Sequence, residues 1–294
     1  MDVSIIYVNY NSSNLIINSI NSVIELTNGV SYEIIIVDNN SHTEEKNKLK
    51  NYCNNNNITL IESNKNLGFG KANNLGSKYA KGEYLFFLNP DTYLINNAIK
   101  ELFIFAKNNN ISTCGANLFT HTHKPTLSYW MLTPSISDEI SALFCNIPLK
   151  IRYLNSHEHN LTATPKEVAF ITGADLMIQK KLFFQVNGFD EDFFMYFEET
   201  DLQHRIKNLG YKIYNIPSAK IVHLESQTLS SRTQKIQLFL ESRKKFYLKN
   251  NTKTQFKIAN TILKLSCIIR ISIFYILQKT EKVNYWKTIL HQCS

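Results

Sequence analysis

The sequence predicts an α/β fold in which a mostly parallel sheet is flanked by helices, and two observations support this. Short apolar runs rich in strand-forming residues occupy Val3–Asn9, Glu33–Asp38 and Glu83–Asp91, with a weaker run at Ile58–Glu62. Segments with helical spacing of apolar residues lie between these runs. Strands that alternate with helices of this length form right-handed βαβ units and a parallel sheet.

Each element has a local reason to form. The helix predicted over Asn14–Leu26 carries apolar side chains at positions 15, 16, 20, 23 and 26, and the one over Ser41–Asn55 opens with hydroxyl side chains that favour a helix start. A third helix opens within Asn66–Gly76 and runs to Ala80. The strand that follows is bounded by Gly82 and Pro90, which favours a buried strand.

Polar residues follow the apolar runs. Asn9 and Asn11 follow the first, Asp38 ends the second, and Asp91 follows the strand at Glu83. Parallel strands end at one edge of a sheet, where α/β proteins place their ligands, so these side chains are expected to share a crevice. Alternatively, Asn89-Pro90-Asp91 is simply a turn, because all three residue types are common in turns.

Glycines occur at a predicted helix start. Gly68 and Gly70 permit close backbone approach there, where free N–H groups and the helix dipole attract phosphate. A tight turn explains the same pair. The spacing lacks the third glycine and the following acid of a dinucleotide fingerprint.

A second group of polar residues opens a helix that ends at Gly210. Glu198, Glu199 and Asp201 fall at its positive end, as good first-turn residues do. The preceding segment is aromatic, and a carboxylate against aromatic walls becomes a better base. We therefore expect a pocket walled by Phe189, Phe193, Phe194, Tyr196 and Phe197. Arg205, on the same helix, is expected to form a structural ion pair.

Together these segments resemble family 2 glycosyltransferases, most closely the rhamnosyltransferase-type branch. The resemblance covers residues 1 to 225 and is carried by V-S-I-I-Y-V-N-Y-N, I-I-I-V-D-N-N-S, N-L-G-F-G-K-A-N-N-L-G, F-L-N-P-D and F-D-E-D-F-F-M-Y-F-E-E-T-D-L. It implies a GT-A fold, a nucleotide-diphosphate sugar donor, a divalent metal and inversion at the anomeric carbon. The donor favoured by resemblance is dTDP-rhamnose, and a UDP-hexose is the alternative.

The resemblance also assigns residues. Glu199 takes the general-base position, with Glu198 as the alternative, and Asp38 would hold the nucleoside. Asp91 and His223 are the implied ligands of Mn²⁺ or Mg²⁺, and Asn89 replaces the first Asp of the family's D-x-D motif. The substrate-binding candidates are Asn9, Asn11, Asp38, Asn39, Gly68, Gly70, Lys71, Asn73, Asn89, Asp91 and, on the acceptor side, Asp175.

Composition predicts two parts. Residues 1–230 would form the catalytic domain, with a donor half to about 116 and an acceptor half from 117, of which 117–167 lacks clear periodicity. Residues 243–294 carry 11 Lys and Arg against Glu281, a balance of +10 within a net charge of +8. We therefore expect 231–294 to be a basic helical tail, with its apolar stretch Phe256–Leu277 lying at an anionic membrane surface. Packing on the catalytic domain, or dimerisation, is the alternative.

Other classes are less consistent with the sequence. No recognition motif for nucleic acid is present, and the basic residues are interleaved with Ile and Leu. Five cysteines without paired spacing and the absence of a basic leader fit the cytoplasm, at the inner face of the membrane. A nucleotide-sugar-binding protein without turnover is conceivable because of Asn89. A sugar nucleotidyltransferase would need a Gly-rich loop near residue 10. The oligomeric state stays open.

Overall fold

The structure, a computed structural model, describes residues 1–224 and 232–293. The strands are β1 Val3–Asn9, β2 Tyr32–Asp38, β3 Thr59–Glu62, β4 Tyr84–Leu88, β5 Thr92–Leu94, β6 Thr113–Phe119, β7 Tyr129–Trp130, β8 Lys166–Val168, β9 Phe170–Ile171, β10 Asp175–Gln179 and β11 Ile213–His223. The helices are α1 Ser13–Leu26, α2 Thr43–Asn56, α3 Phe69–Ser77, α4 Ala98–Asn108, α5 Ile136–Leu143, α6 Ile147–Arg152, α7 Lys180–Gln185, α8 Glu198–Asn208, α9 Arg232–Asn250, α10 Lys253–Ile276 and α11 Thr280–Gln292.

The main sheet is mixed rather than mostly parallel. Its order is β3-β2-β1-β4-β10-β6-β11-β5, with β8 pairing to β11. The first four strands are parallel, as the alternation of strands and helices predicts. β10 is antiparallel to both β4 and β6, and β11 is antiparallel to β5 and β8. The prediction of a mostly parallel sheet therefore holds for β3-β2-β1-β4 and for the pair of β6 and β11, whereas β10 runs antiparallel between β4 and β6.

The strand register places the polar strand ends. Asn9 is paired with Asp38 across β1 and β2, and Asp38 with Glu62 across β2 and β3. At the other side, His223 pairs with Thr92, the residue after Asp91. The sheet therefore sets Asn9 beside Asp38, and His223 beside the end of the Asn89–Asp91 turn.

Alternate side chains of the central strands fill two apolar clusters. Val3, Ile5 and Tyr7 of β1 belong to the cluster that includes α1, α2 and α4. Ile6 belongs to the other cluster, together with residues of α7 and α8. Successive strand residues point to opposite faces, so β1 is covered on both sides, as its continuous apolar run requires.

The chain divides into two compact units. One comprises residues 1–131, 156–194 and the chain from 198 through β11, and contains the sheet; the other comprises 132–155, 195–197 and the chain from α9 to α11. Residues 132–155, expected in the acceptor half, therefore group with the tail. The predicted boundary between 230 and 231 lies outside the described residues.

The helical unit has its own core. Ile236, Cys267, Ile289 and Cys293 form a buried cluster, and Arg243 pairs with Glu139 at 2.6 Å. Its helix α10 begins with a capping box, in which the side chains of Thr252 and Gln255 bond each other's backbone N–H groups. Helix α10 is 24 residues long, and an 18-residue window of it has a mean hydropathy of 1.5 with 17% of the window buried. It is therefore long and apolar enough to cross a membrane by length and composition.

Candidate active site

The ends of β1 and β2 are held together by a buried polar network. Asn9 donates from Nδ2 to Asp38 Oδ1 at 3.0 Å and to Ser41 Oγ at 3.1 Å. The Ser41 N–H donates to Asp38 Oδ2 at 3.1 Å. Asn9 and Asp38 have no exposed surface. Both carboxylate oxygens of Asp38 thus have protein donors, and because the side chain has no exposed surface, a nucleoside could reach this carboxylate only if neighbouring residues moved.

Two further asparagines organise the neighbouring loops. Asn11 accepts a hydrogen bond from the His42 N–H at 2.8 Å, and its own N–H donates to Ser41 Oγ at 2.9 Å. Asn39 accepts from the Leu67 N–H at 2.8 Å and donates to the Gly68 carbonyl at 3.3 Å. Asn39 therefore ties the end of β2 to the glycine loop before α3.

The glycine loop is used differently from its prediction. Gly68 has φ +82°, and a Cβ there would collide with the Phe194 carbonyl oxygen, which also accepts a hydrogen bond from the Phe69 N–H at 3.0 Å. A Cβ at Gly70 would lie 3.0 Å from Phe189 Cβ. Atoms of the segment before α8 thus fill the space that the missing side chains of both glycines leave. The Phe69 N–H already has an acceptor, so in this structure neither the glycines nor this amide is open to a phosphate group.

Two other candidates lie on α3. Asn73 is buried and donates from Nδ2 to the Phe69 carbonyl at 3.2 Å, which stabilises the first turn. Lys71 is partly exposed, with its Nζ 3.7 Å from Glu191. Lys71 is therefore the more accessible of the two to a charged ligand.

Gly68 gives a test of this packing with a matched control. Gly68→Ala should lower the melting temperature much more than Gly210→Ala. Both residues have positive φ, which costs an alanine about 1–2 kcal/mol. Among the described residues, no atom lies within 4 Å of a Cβ placed at Gly210, whereas Phe194 blocks one at Gly68. Equal losses in thermal unfolding would contradict the close approach.

Asp91 and His223 meet at the candidate metal position. His223 Nε2 lies 3.4 Å from Asp91 Oδ1, and the Leu224 N–H donates to the Asp91 carbonyl at 2.9 Å. Their side chains are 19% and 11% exposed. A carboxylate oxygen and an imidazole nitrogen at this separation fit Mn²⁺, which accepts both. Within the described residues no group of three or more His, Cys, Asp or Glu could hold a metal, so a bound ion would take its other ligands from the donor diphosphate or water.

The two acids at the start of α8 differ in environment. Glu198 is buried, and its Oε2 has no hydrogen-bond partner among the described residues. Burial, and then the charge of Glu199, raise the pKa of Glu198 well above its usual range. Burial also raises the pKa of Glu199, which is half-buried and accepts a hydrogen bond from Thr200 Oγ1 at 3.1 Å. Glu199 is thus the better placed of the two to accept a proton from a ligand.

A short chain of contacts links the acids to the Asn89–Asp91 turn. A Cβ at Gly173 would lie 3.6 Å from Glu199 Cγ. The carbonyl of the next residue, Ala174, accepts a hydrogen bond from the Asn89 N–H at 2.9 Å. The turn that carries Asp91 and the helix that carries Glu199 therefore border the same segment.

Asp175 lies too deep for its predicted contact with an acceptor. It begins β10 between β4 and β6, has no exposed surface and accepts a hydrogen bond from the Ala116 N–H at 2.5 Å. Its Oδ1 has no partner in the described part of the chain, and burial raises its pKa well above the usual range. In this arrangement the carboxylate is enclosed by the sheet and makes no contact with the surface.

The aromatic residues before α8 also differ from their prediction. Phe189 packs edge-on against Phe69 and Phe87 with ring centroids 6.0 and 4.9 Å apart, inside the core. Phe197 packs on Phe239 and Phe246 within the helical unit. Most of these rings therefore fill cores, although Phe194 is 39% exposed.

Arg205 forms the predicted ion pair, and two amides were missed. Arg205 Nε lies 2.8 Å from Asp201 Oδ2. Gln203 exchanges two 2.8 Å hydrogen bonds with the backbone of Ile171, and Asn74 exchanges two of 2.9 Å with that of Phe189. These amides fix α8 and α3 at the site. The one sequence signal was the position of Gln203, a full turn after Glu199.

The fold agrees with comparisons with known proteins. The model of glycosyl transferase family 2 matches residues 4–184. The chain belongs to glycosyl transferase family 2, in its rhamnosyltransferase-like branch, and is a glycosyltransferase that uses a nucleotide-sugar donor.

Individual relatives are distant. The low-salt glycan biosynthesis hexosyltransferase Agl10 of Haloferax volcanii is 28% identical over 85% of this chain and 76% of its own length. The dTDP-rhamnosyl transferase RfbF of Shigella flexneri is 28% identical over 65% of this chain and 59% of its own length. The rhamnosyltransferase WbbL of Escherichia coli is 26% identical over 53% of this chain and 60% of its own length.

A solved structure confirms the GT-A fold. GalNAc-T7, crystallised with UDP, GalNAc and Mn²⁺, superposes with a TM-score of 0.59 at 17% identity. The match covers 84% of this chain and 50% of the other. At this identity the likeness concerns the fold alone.

Proposed function

We propose that this glycosyltransferase inverts the anomeric carbon as it moves a sugar from a nucleotide-diphosphate donor to a hydroxyl of a cell-surface glycan or a lipid-linked acceptor. The observation that carries the proposal is the link from Asp91 and His223, through Asn89 and Ala174, to Gly173 and Glu199. Two side chains of metal-binding type, Asp91 and His223, and the carboxylate of Glu199, whose pKa is raised, thus border the segment of Gly173 and Ala174.

The roles follow from the chemistry of these groups. Glu199 takes the proton of the acceptor hydroxyl. The acceptor oxygen bonds to the anomeric carbon as the bond between that carbon and the donor diphosphate breaks. Asp91 and His223 would hold a divalent ion, Mn²⁺ or Mg²⁺. When bound, such an ion neutralises charge on the leaving diphosphate. Asn9, Asn11, Asp38 and Asn39 shape the donor side, and Lys71 is the accessible cation nearby.

The favoured donor is dTDP-rhamnose. Its support is the names of two relatives, a dTDP-rhamnosyl transferase and a rhamnosyltransferase. A relative named as a hexosyltransferase covers more of the chain, so a UDP-hexose is the alternative donor.

A nucleotide-sugar-binding protein without turnover is the rival proposal, and Asn89 favours it by removing one negative ligand from the metal position. Glu199 favours turnover, because a binding protein gains nothing from a half-buried acid of raised pKa beside its ligand.

The composition of the tail supports the proposal that the enzyme acts at the cytoplasmic face of the membrane. Eleven Lys and Arg accompany one acid over residues 243–294, and many apolar side chains of α10 are exposed. Basic residues beside apolar surface suit an anionic leaflet.

A panel of nucleotide sugars tests the donor assignment. With Mn²⁺ present, dTDP-rhamnose should raise the melting temperature more than other dTDP- or UDP-sugars do, because a ligand that binds only the native state stabilises it by mass action. The same panel assayed for slow donor hydrolysis separates the enzyme from a binding protein. Donor binding with neither hydrolysis nor transfer to any supplied acceptor would favour the rival.

A further inference from the structure

The helical unit contains a cavity that the transfer reaction does not use. Its volume is about 610 Å³, within the range of small-molecule sites. All of its lining residues belong to the helical unit, from α9, α10, the last residue of α11 and Cys293. Those that matter for a ligand are Arg243, Lys244, Phe256, Asn260, Lys264 and Gln292.

The lining is positively charged. Lys264 is half-buried and Lys244 is exposed, and among the described residues neither forms an ion pair. Arg243 is 4% exposed and bonds Glu139 through Nε and Nη2, which leaves Nη1 as the donor that Glu139 does not use. The acid at the cavity, Glu241, accepts a hydrogen bond from Gln237 at 2.9 Å. Two lysines against one acid favour an anionic ligand.

The cavity also offers a neutral acceptor. Gln292 Oε1 is buried and has no hydrogen-bond partner in the described part of the chain. An acceptor buried without a donor is costly, so a ligand that brings a hydroxyl group would be favoured. Asn260, whose Nδ2 donates to the Cys293 carbonyl at 3.0 Å, holds α10 against the chain end beside it.

The same helix joins the cavity to an apolar surface. Phe256, Asn260 and Lys264 are four residues apart and lie along one stripe of α10. Beyond them, α10 exposes Leu265, Ile268, Ile273, Tyr275 and Ile276, with Ile276 at 78%. The cavity thus lies at the polar end of a helix whose remainder is suited to hydrocarbon.

We propose that this cavity binds the phosphate head group of an anionic phospholipid, with the acyl chains against the exposed apolar residues of α10. The phosphate faces Lys264, Lys244 and Arg243, and a head-group hydroxyl donates to Gln292. Charge-assisted hydrogen bonds from cations grouped in one cavity, with Lys264 half-buried, are stronger than the attraction of scattered surface lysines, so this site adds specificity to general attraction. The proposal rests on the membrane attachment proposed above.

A soluble phosphate compound has the negative charge of a lipid head group but no acyl chain to cover the apolar surface of α10. The exposed side chains of α10 would gain nothing from it, whereas a lipid buries them at about 25 cal/mol per Å² of apolar surface. The occupant is therefore taken to be a lipid, and inorganic phosphate serves as the competing probe.

The test is binding of the full chain to vesicles of phosphatidylglycerol in phosphatidylcholine, measured by flotation. Lys264→Gln is compared with Lys257→Gln, which removes the same charge from an exposed position of α10 outside the cavity. Lys257→Gln should weaken binding about fivefold, the effect of one surface cation. Lys264→Gln should weaken it more than about tenfold, Lys264→Arg should restore it, and millimolar inorganic phosphate should not compete.

The outcomes separate the two levels of the proposal. Equal losses in Lys264→Gln and Lys257→Gln, at unchanged melting temperature, would overturn the head-group site and leave membrane attachment standing. Displacement by inorganic phosphate would overturn the lipid as occupant. If the wild-type chain does not float with any of the vesicles, membrane attachment itself is refuted. Donor hydrolysis, measured in parallel, reports on the transferase function independently.

Discussion

Glu199→Gln should lower kcat by about two to four orders of magnitude, the usual contribution of a general base. Glutamine keeps the shape and the hydrogen bond from Thr200 but cannot take the acceptor proton. Donor affinity should be nearly unchanged, because the change lies on the acceptor side. The measurement is steady-state kinetics with saturating donor and metal.

Glu198→Gln is the matched control, because the two acids are adjacent and only one can be the base. Glu198 is buried, its Oε2 has no hydrogen-bond partner among the described residues, and burial raises its pKa, so a neutral amide should be tolerated there and most activity should remain. A large loss in Glu198→Gln with little in Glu199→Gln would exchange the two roles.

The pH profile gives a second readout. A base must be ionised to act, and burial raises the pKa of Glu199 above its usual value of 4.5. The midpoint of the acidic limb in the pH profile of kcat/KM should therefore lie above the pH expected for an exposed glutamate. Activity should be lost as the pH decreases through this midpoint. The limb should disappear from the residual activity of Glu199→Gln.

Asp91→Asn should abolish metal-dependent donor binding while the fold is kept. The amide has nearly the same shape but no charge for the ion, and the loss in metal affinity should exceed the roughly 10- to 100-fold typical of residues that only support a ligand. Calorimetry of nucleotide binding with and without Mn²⁺ measures it. Unchanged Mn²⁺-dependent affinity would remove Asp91 from the metal site.

Asn89→Asp is the complementary variant, since it restores the first Asp of the family's D-x-D motif. The added charge should lower the Mn²⁺ concentration needed for half-maximal donor binding. No change would indicate that residue 89 does not face the ion. The pair of variants thus changes the charge at one turn by one unit in each direction.

Several features of the site could be predicted from the sequence because their causes are local. The apolar runs of β1, β2 and β4 are long enough and rich enough in β-branched or aromatic residues to specify strands, and the polar residues after them mark one edge. The ion pair of Arg205 with Asp201 follows from a spacing of four residues on one helix. Asp91 and His223 were paired by family resemblance, and the structure places them 3.4 Å apart.

Other features depend on contacts between distant segments. Gly68 was expected to face phosphate, but the carbonyl of Phe194, 126 positions later in the numbering, occupies the space that its missing side chain leaves. Asp175 was expected to meet the acceptor, but β10 enters between β4 and β6 and buries it. Neither outcome is encoded within a few residues of the position concerned.

By itself the sequence determined the family, the α/β class, the strand ends that carry polar residues and the basic tail, because composition, periodicity and motif spacing are local properties. Only the tertiary structure decided the antiparallel placement of β10 in the sheet, the burial that distinguishes Glu198 from Glu199, and the cavity around Lys264. Burial and cavity shape arise from which distant elements pack together, and packing sets both the pKa of a carboxylate and the space left for a ligand.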